Sequence, residues 1–309
     1  MAFPAATFTT YHTTANDRDV SDFVTNVSPK DSPFFSMISA NTGMARKKEN
    51  VQDALTAPDG TNTLIEGDTL TNVAIADRTF EDNWMQIFKK VFGVSGTQEA
   101  VSKYGGIKSE IQYQLKNKYK ELATDVEYEF IQGTSASGAT GTARTLSGLV
   151  EKITTNTATT AITGSTWTAT SAAELYAFEE LLNDMFDQMF ETGIVADTVL
   201  VGGDRKRKIS KLTDKVTRNI DAEKKTQINS INVYDSDFGT VNIILDRYVP
   251  DANILGLSID HFQTSYLRRF KQTSLAKVSD STRIAIIGEL TLDARTQKAG
   301  GKITAGDAG

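Results

Sequence analysis

Residues 133–140, GTSASGAT, match the phosphate-loop pattern of two glycines bracketing four residues, then Lys and Ser or Thr, at every position but one. Ala139 stands where that pattern needs the lysine that reaches the outer phosphates. A phosphate loop follows a strand and opens a helix, whose N-terminal N–H groups face the anion. Here the glycines follow a long helical pattern, so a helix would present its negative end instead, and no helical pattern opens at Thr140. Gly133, Gly138 and Gly141 are therefore expected to form a flexible loop leading to Arg144, with no nucleotide bound.

Other chemistry finds little support. The two histidines, His12 and His261, are far apart, and the chain has no cysteine, so neither a metal centre nor a disulfide is expected. Asp235, Asp237 and Gly239 hint at a calcium loop, but the twelve-residue ligand pattern is missing and a hairpin turn accounts for them. No serine lies in a strand–elbow–helix setting. A hydrolase built on paired carboxylates stays open as an alternative, since sequence does not show which distant acids meet. No cofactor is expected, and the chain reads as a non-enzyme.

The basic run Arg205, Lys206, Arg207 and Lys208 lacks the interleaved aromatics of a nucleic-acid surface. It reads as a solvated face, or as a surface that pairs with acids on a neighbouring molecule. Such acids occur on the longest helical pattern. Ile107, Ile111, Leu115, Tyr119, Leu122, Val126 and Phe130 recur every three or four residues, which predicts one helix with a single apolar stripe, ending at Gly133. Lysines 108, 116, 118 and 120 fill its first half, and Glu121, Asp125, Glu127 and Glu129 its second. That order opposes the helix dipole, and Glu121–Asp125 and Asp125–Glu129 are like-charge pairs one turn apart. Relief is expected from a neighbouring subunit.

The elements around these residues follow from composition and pattern. The 309 residues are 39% hydrophobic with a formal charge of −6, enough for one large or two smaller domains and no overall affinity for DNA or anionic membranes. No apolar run is long enough to span a membrane, and residues 1–19 do not resemble a signal peptide. Ser171 with Glu174 predicts the cap of a second helix, whose stripe is Leu175, Phe178, Leu182, Met185 and Met189. IVADTVLVGG reads as a buried strand, and DRKRKISKLTDKV as a third helix with Ile209, Leu212 and Val216 inward. INVYDSDFGTVNIILDRYV reads as a hairpin, and ANILGLSI and RIAIIGELTLDA as further strands. The class is α+β. Residues 1–45 and 46–80 are polar and weakly periodic, which is unusual in a compact monomer. Phe34, Phe35 and Ile38 are expected to anchor the first of these stretches on another subunit.

One resemblance accounts for those stretches. NWMQIF (Asn83–Phe88), VSGTQ (Val94–Gln98), the helix carrying Glu110, Gln114 and Glu121, and ARTLSGL (Ala143–Leu149) resemble the major head protein family of tailed bacteriophages typified by phage SU10. The N-terminal pieces Tyr11–Asp22 and Ser28–Phe35 extend the match. The resemblance implies an HK97-like capsid fold. Residues 1–45 would be the N-terminal arm, 46–80 the extended loop and 81–154 the peripheral domain with a spine helix over 107–131. Residues 155–275 would be the axial domain, and 276–309 the return to the peripheral domain and the tail. It implies a virion protein, assembled in the host cytoplasm with itself as hexamers and pentamers around double-stranded DNA. Its further partners would be a portal protein and a decoration or scaffolding protein. An encapsulin-like compartment enclosing cargo is the alternative within the same fold.

Overall fold

Apolar periodicity and proline placement set the first elements of the computed structural model. It describes residues 31–304, except 64, 68, 70, 71, 73, 74, 76, 102–106, 159–171, 213–219, 222–225, 228–231 and 278. The expected cap Ser171, the inward Val216 and the motif at Tyr11–Asp22 lie outside the described residues, as do the side chains of Leu175 and Leu212. Pro33 opens the short helix α1 (Pro33–Met37) at the position where a missing N–H costs nothing. Strand β1 (Ser39–Thr42) follows, and β2 (Lys47–Gln52) and β3 (Thr79–Trp84) then pair as an antiparallel hairpin. Strand β4 (Gln86–Ser95) leads through α2 (Gly96–Ala100) to the long helix α3 (Glu110–Gln132).

Helix α3 starts three residues later than the stripe suggests, because Ser109 is its N-cap and accepts from Gln112 N. The stripe is also unequal along its length. Leu122, Val126, Phe130 and Ile131 are fully buried, whereas Leu115 is half-buried and Tyr119 exposed. Gly133 ends the helix as expected, by a close approach and not through left-handed geometry. A Cβ on Gly148 would lie 2.6 Å from Gly133 N, so only glycine lets the two backbones cross there.

Next come α4 (Leu149–Lys152), β5 (Asn156–Ala158), α5 (Ala172–Glu191), β6 (Thr198–Val201) and α6 (Gly203–Leu212). The two-residue strands β7 (Ile220–Asp221) and β8 (Thr226–Gln227) pair with each other. The last strands are β9 (Val233–Ser236), β10 (Gly239–Leu245), β11 (Asn253–Leu257), β12 (Phe262–Ser274), β13 (Ser281–Ala294) and β14 (Gly300–Thr304).

Two larger sheets organise them. The four-stranded sheet runs β1-β12-β13-β4, with β1 and β4 as its edges, and the six-stranded sheet runs β5-β14-β11-β6-β10-β9. The division between them departs from the expected boundaries. Strand β12, expected within the axial stretch 155–275, pairs with β13 in the four-stranded sheet. Strand β14, expected beyond that stretch, pairs with β11 in the six-stranded sheet.

The buried strand β6 shows how the layers meet. Val199 and Val201 join the α5 residues Phe178, Leu182, Met185 and Met189 in one core, while Leu200 points to the opposite core. That second core holds Leu122, Val126 and Phe130 of α3 against Phe88, Ile286 and Leu290 of the four-stranded sheet. Phe34 closes it, with its ring edge-on to Phe130 and Phe262 at centroid distances of 6.4 and 6.3 Å. Phe34 and Ile38 are buried by their own chain and Phe35 packs on Phe130. The expectation that these residues anchor on another subunit is corrected: the apolar face of α1 is satisfied within the chain.

Phe34→Ala should therefore lower the stability of the isolated subunit by about 3–5 kcal/mol, measured by denaturant unfolding. A variant with unaltered unfolding would contradict the intrachain packing of this ring.

Candidate functional site

The β2–β3 hairpin projects from a root held by buried polar groups. Asn83 is buried, and its Nδ2 donates to Ser147 O and Leu292 O at 2.9 Å each, while its Oδ1 accepts from Ser147 N at 2.8 Å. Asn50 Nδ2 donates to Asp293 Oδ1 at 2.5 Å, and Lys48 pairs with the same carboxylate at 3.5 Å. Lys152 reaches back to Glu81 at 2.6 Å and to Asp82 O. A polar root of this kind orients the hairpin, because each buried group would lose a partner if it swung away. Leu55, Ile65 and Ile75 are 100%, 77% and 95% exposed. Residues 53–78 also carry five acids, Asp53, Asp59, Glu66, Asp68 and Asp77, against one base, Arg78.

A basic sheet face lies on the body. Cross-strand register puts Arg268, Glu289 and Ile87 in one row, and Lys271, Ile287 and Lys89 in the next. Arg283 pairs with Gly93 further along, on the same side. The acid in these rows, Glu289, is buried and already held by Arg144 at 2.5 Å and Arg268 at 3.0 Å. Lys89, Lys271 and Arg283 are exposed, and so are Ile87, Val91 and Ile287. The GTSASGAT segment borders this face as a short hairpin, with Ala136 bridged to Thr145 and Ala139 to Thr142. Gly138 and Gly141 take φ of 71° and 89°, the left-handed geometry such a turn needs. Between this hairpin and Ile87 is an open cleft of about 490 Å³, lined on its charged side by Arg46 and Arg144. The expected flexible loop is thus a built turn, tied at Gly133 to the backbone crossing and at Arg144 to Met85 O and Glu289.

The two charged faces expected to seek a neighbour are largely satisfied at home. Lys90 on β4 pairs with Asp125 at 2.8 Å and Glu121 at 3.8 Å, and Lys118 pairs with Glu121 at 2.7 Å. Burial, and then the nearby Asp125, raise the pKa of Glu129, while a hydrogen bond from Gln86 opposes the rise. Glu127 is fully buried. The basic run divides likewise. Arg205 is buried and donates to Asp251 O, and Lys206 donates to Ile243 O at 2.9 Å. Arg207 is exposed and Lys208 half-buried. Burial lowers the pKa of Arg205 and of Lys206, as removal of a cation from water requires. Asp125 finds its cation on the adjacent strand, Glu121 also on its own helix three residues back, and Arg205 and Lys206 find backbone carbonyls far along the chain.

Among the described residues no group of three or more His, Cys, Asp or Glu side chains is placed to hold a metal ion, and no helix is long and apolar enough to cross a membrane. The sequence reading missed the Asn83 and Glu289 clusters. Both fall within the NWMQIF and ARTLSGL motifs or opposite them, so the signal was present as motif without its geometry.

A long helix laid across a four-stranded sheet, a projecting hairpin and a second six-stranded layer define an α+β coat-protein fold of the HK97-like kind. Similar folds occur in the capsid of cyanophage A-1(L), with 13% identity, TM-score 0.67 and coverage of 96% of this chain and 99% of that one. The capsid of Myoviridae phage XM1 matches at 13% identity and TM-score 0.63, covering 95% of this chain and 98% of that one. A native GTA particle capsid chain matches at 11% and 0.65, covering 94% and 95%. The chain belongs to the SU10 major capsid protein family, whose model it matches over residues 7–306. It is 31% identical over 137 residues to the major capsid protein of Escherichia phage Phieco32, a segment spanning 43% of this chain and 37% of that relative's length.

Arg144→Ala should cost about 1–3 kcal/mol, because it strips a charged donor from the buried Glu289. Arg268→Ala, at a more exposed position, should cost under about 1 kcal/mol. Chemical denaturation of both variants checks the order, and equal losses would contradict the assignment of Arg144 as the principal partner.

Proposed function

We propose that this chain is the coat subunit of a tailed phage, assembling with itself as hexamers and pentamers into a closed icosahedral shell around double-stranded DNA. The observation that carries the reading is the hairpin. Its root is fixed on the body, while Leu55, Ile65 and Ile75 near its tip lie almost wholly uncovered by their own chain. Three such residues cost nothing to hide if a second copy covers them, and each contributes about 1.5–3 kcal/mol when buried. The acidic segment 53–78 is opposite in charge to the basic face with its exposed Ile87, Val91 and Ile287, so that face of a second copy is the proposed seat.

In this reading α3 and the four-stranded sheet form the peripheral domain, and the six-stranded sheet with α5 the axial domain. Residues 1–45 serve as the arm and 46–80 as the extended loop. Of the residues expected to make intersubunit ion pairs, Arg207 is the exposed one proposed to do so. The protein then belongs to the virion, is made in the host cytoplasm, and meets a portal protein and a scaffolding or decoration protein. The enclosed DNA needs no sequence-specific contact, which suits an acidic chain.

The test is sedimentation and electron microscopy of the purified chain and of a Leu55→Ser, Ile65→Ser, Ile75→Ser variant. The parent should form capsomers or shells, and the variant should keep the parent's melting temperature yet remain unassembled. A parent that stays monomeric with every assembly factor supplied would overturn the reading. A variant that assembles normally would remove the hairpin tip from it.

A further inference from the structure

Glu127 and Asp246 are both carboxylic acids, and they are 0% and 1% exposed. Glu127 projects from α3 toward the start of α1. Its Oε1 accepts from Phe34 N and its Oε2 from Phe35 N, each at 2.7 Å, so it caps the short helix at which the N-terminal segment joins the body. Asp246 sits just after β10. Its Oδ1 accepts from Tyr248 N at 2.9 Å, and its backbone N donates to Val201 O. Its side chain meets that of Glu127 in hydrogen-bonding contact, and its Oδ2 is buried with no donor from any other described residue.

We infer that Glu127 and Asp246 share a single proton, and that this proton locks the root of the N-terminal segment and the turn after β10 onto the long helix. Two ionised carboxylates are acceptors only, and buried side by side without a cation they repel; a proton between them turns the contact into a hydrogen bond. Among the described residues the surroundings supply no such cation. From the approach to α1 comes Asp31, and from the turn after β10 comes Arg247. These two are exposed and pair with each other at 3.9 Å. One turn to either side on α3 stand Ala123, Thr124, Phe130 and Ile131, all uncharged, and β12 contributes the ring of Phe262. Tyr128 lies edge-on to Tyr248, outside the pair. Lys90 is engaged by Asp125 and Glu121.

Burial, and then the adjacent Asp246, push Glu127 up to about 8, with the Phe34 and Phe35 amides opposing. The proton belongs to the pair as a unit. Unfolded, both groups are ordinary carboxyls and ionised above about pH 5. Unfolding between about pH 5 and pH 8 therefore releases one proton. The stabilisation is complete below that window and is lost as pH rises through it. This holds whether or not the subunit builds a shell.

The test is equilibrium unfolding of the full chain from pH 5 to pH 9, beside Asp246→Asn, whose amide supplies a permanent donor to Glu127 while keeping the acceptor for Tyr248 N. The parent's folding constant should fall up to about tenfold per pH unit more steeply than the variant's within the window. Parallel pH profiles would overturn the inference. Infrared spectroscopy reads the same proton without relying on the variant's folding. At pH 7 the parent should show the carbonyl band of one protonated, buried carboxyl, and absence of that band would equally overturn it.

Discussion

The fold turns on the cap that Glu127 places over α1. A carboxyl buried from solvent is costly unless it is partnered, and here two backbone amides of α1 and a second carboxyl meet it. With Glu127 fixed, Phe34 is delivered between Phe130 and Phe262, so α1, α3 and the four-stranded sheet close on one another. Asp246 extends the same joint to the six-stranded layer. One side chain thus sets where α1 sits on the body and how the two layers are joined there.

The projecting hairpin depends on a different economy. Its root is polar and satisfied, and beyond it Leu55, Ile65 and Ile75 stand bare among acids. Asn83 does at the root what a hydrophobic contact would do less selectively, since both amide atoms are used and the alternative orientation would leave buried carbonyls unpaired. Gly133 and Gly148 cross beside it at backbone distance, which fixes the path of ARTLSGL and so the position of Arg144 over Glu289. The hairpin thus has a specified root and an uncovered distal part.

Much of this was legible. The periods of α3 and α5 gave their faces, the continuous apolar run of β6 marked a strand buried on both sides, and DSDFG marked the β9–β10 turn. Strand β12 escaped because its register shifts between Tyr266 and Arg268 and again before Lys271, and each shift breaks the two-residue alternation that betrays a strand. The assignment of β12 and β14 to sheets could not be read locally, since pairing partners lie far away in sequence. Glu127 was grouped with the acids expected to meet a neighbouring subunit, although Phe130 and Ile131 three and four residues on place it toward the core. Arg205 and Lys206 escaped for a related reason: their partners are backbone carbonyls far along the chain, of Asp251 in a turn and of Ile243 in β10.

The position of β4 at the rim of its sheet has a consequence for how copies avoid one another. A ten-residue rim strand offers a row of unpaired backbone groups, the template on which chains at high local concentration stack irreversibly. Lys89 and Lys90 stand at its middle, so two rims meeting antiparallel would bring lysine against lysine. Backbone ladders between copies are thereby discouraged, and association is left to side-chain contacts that can dissociate and correct an error.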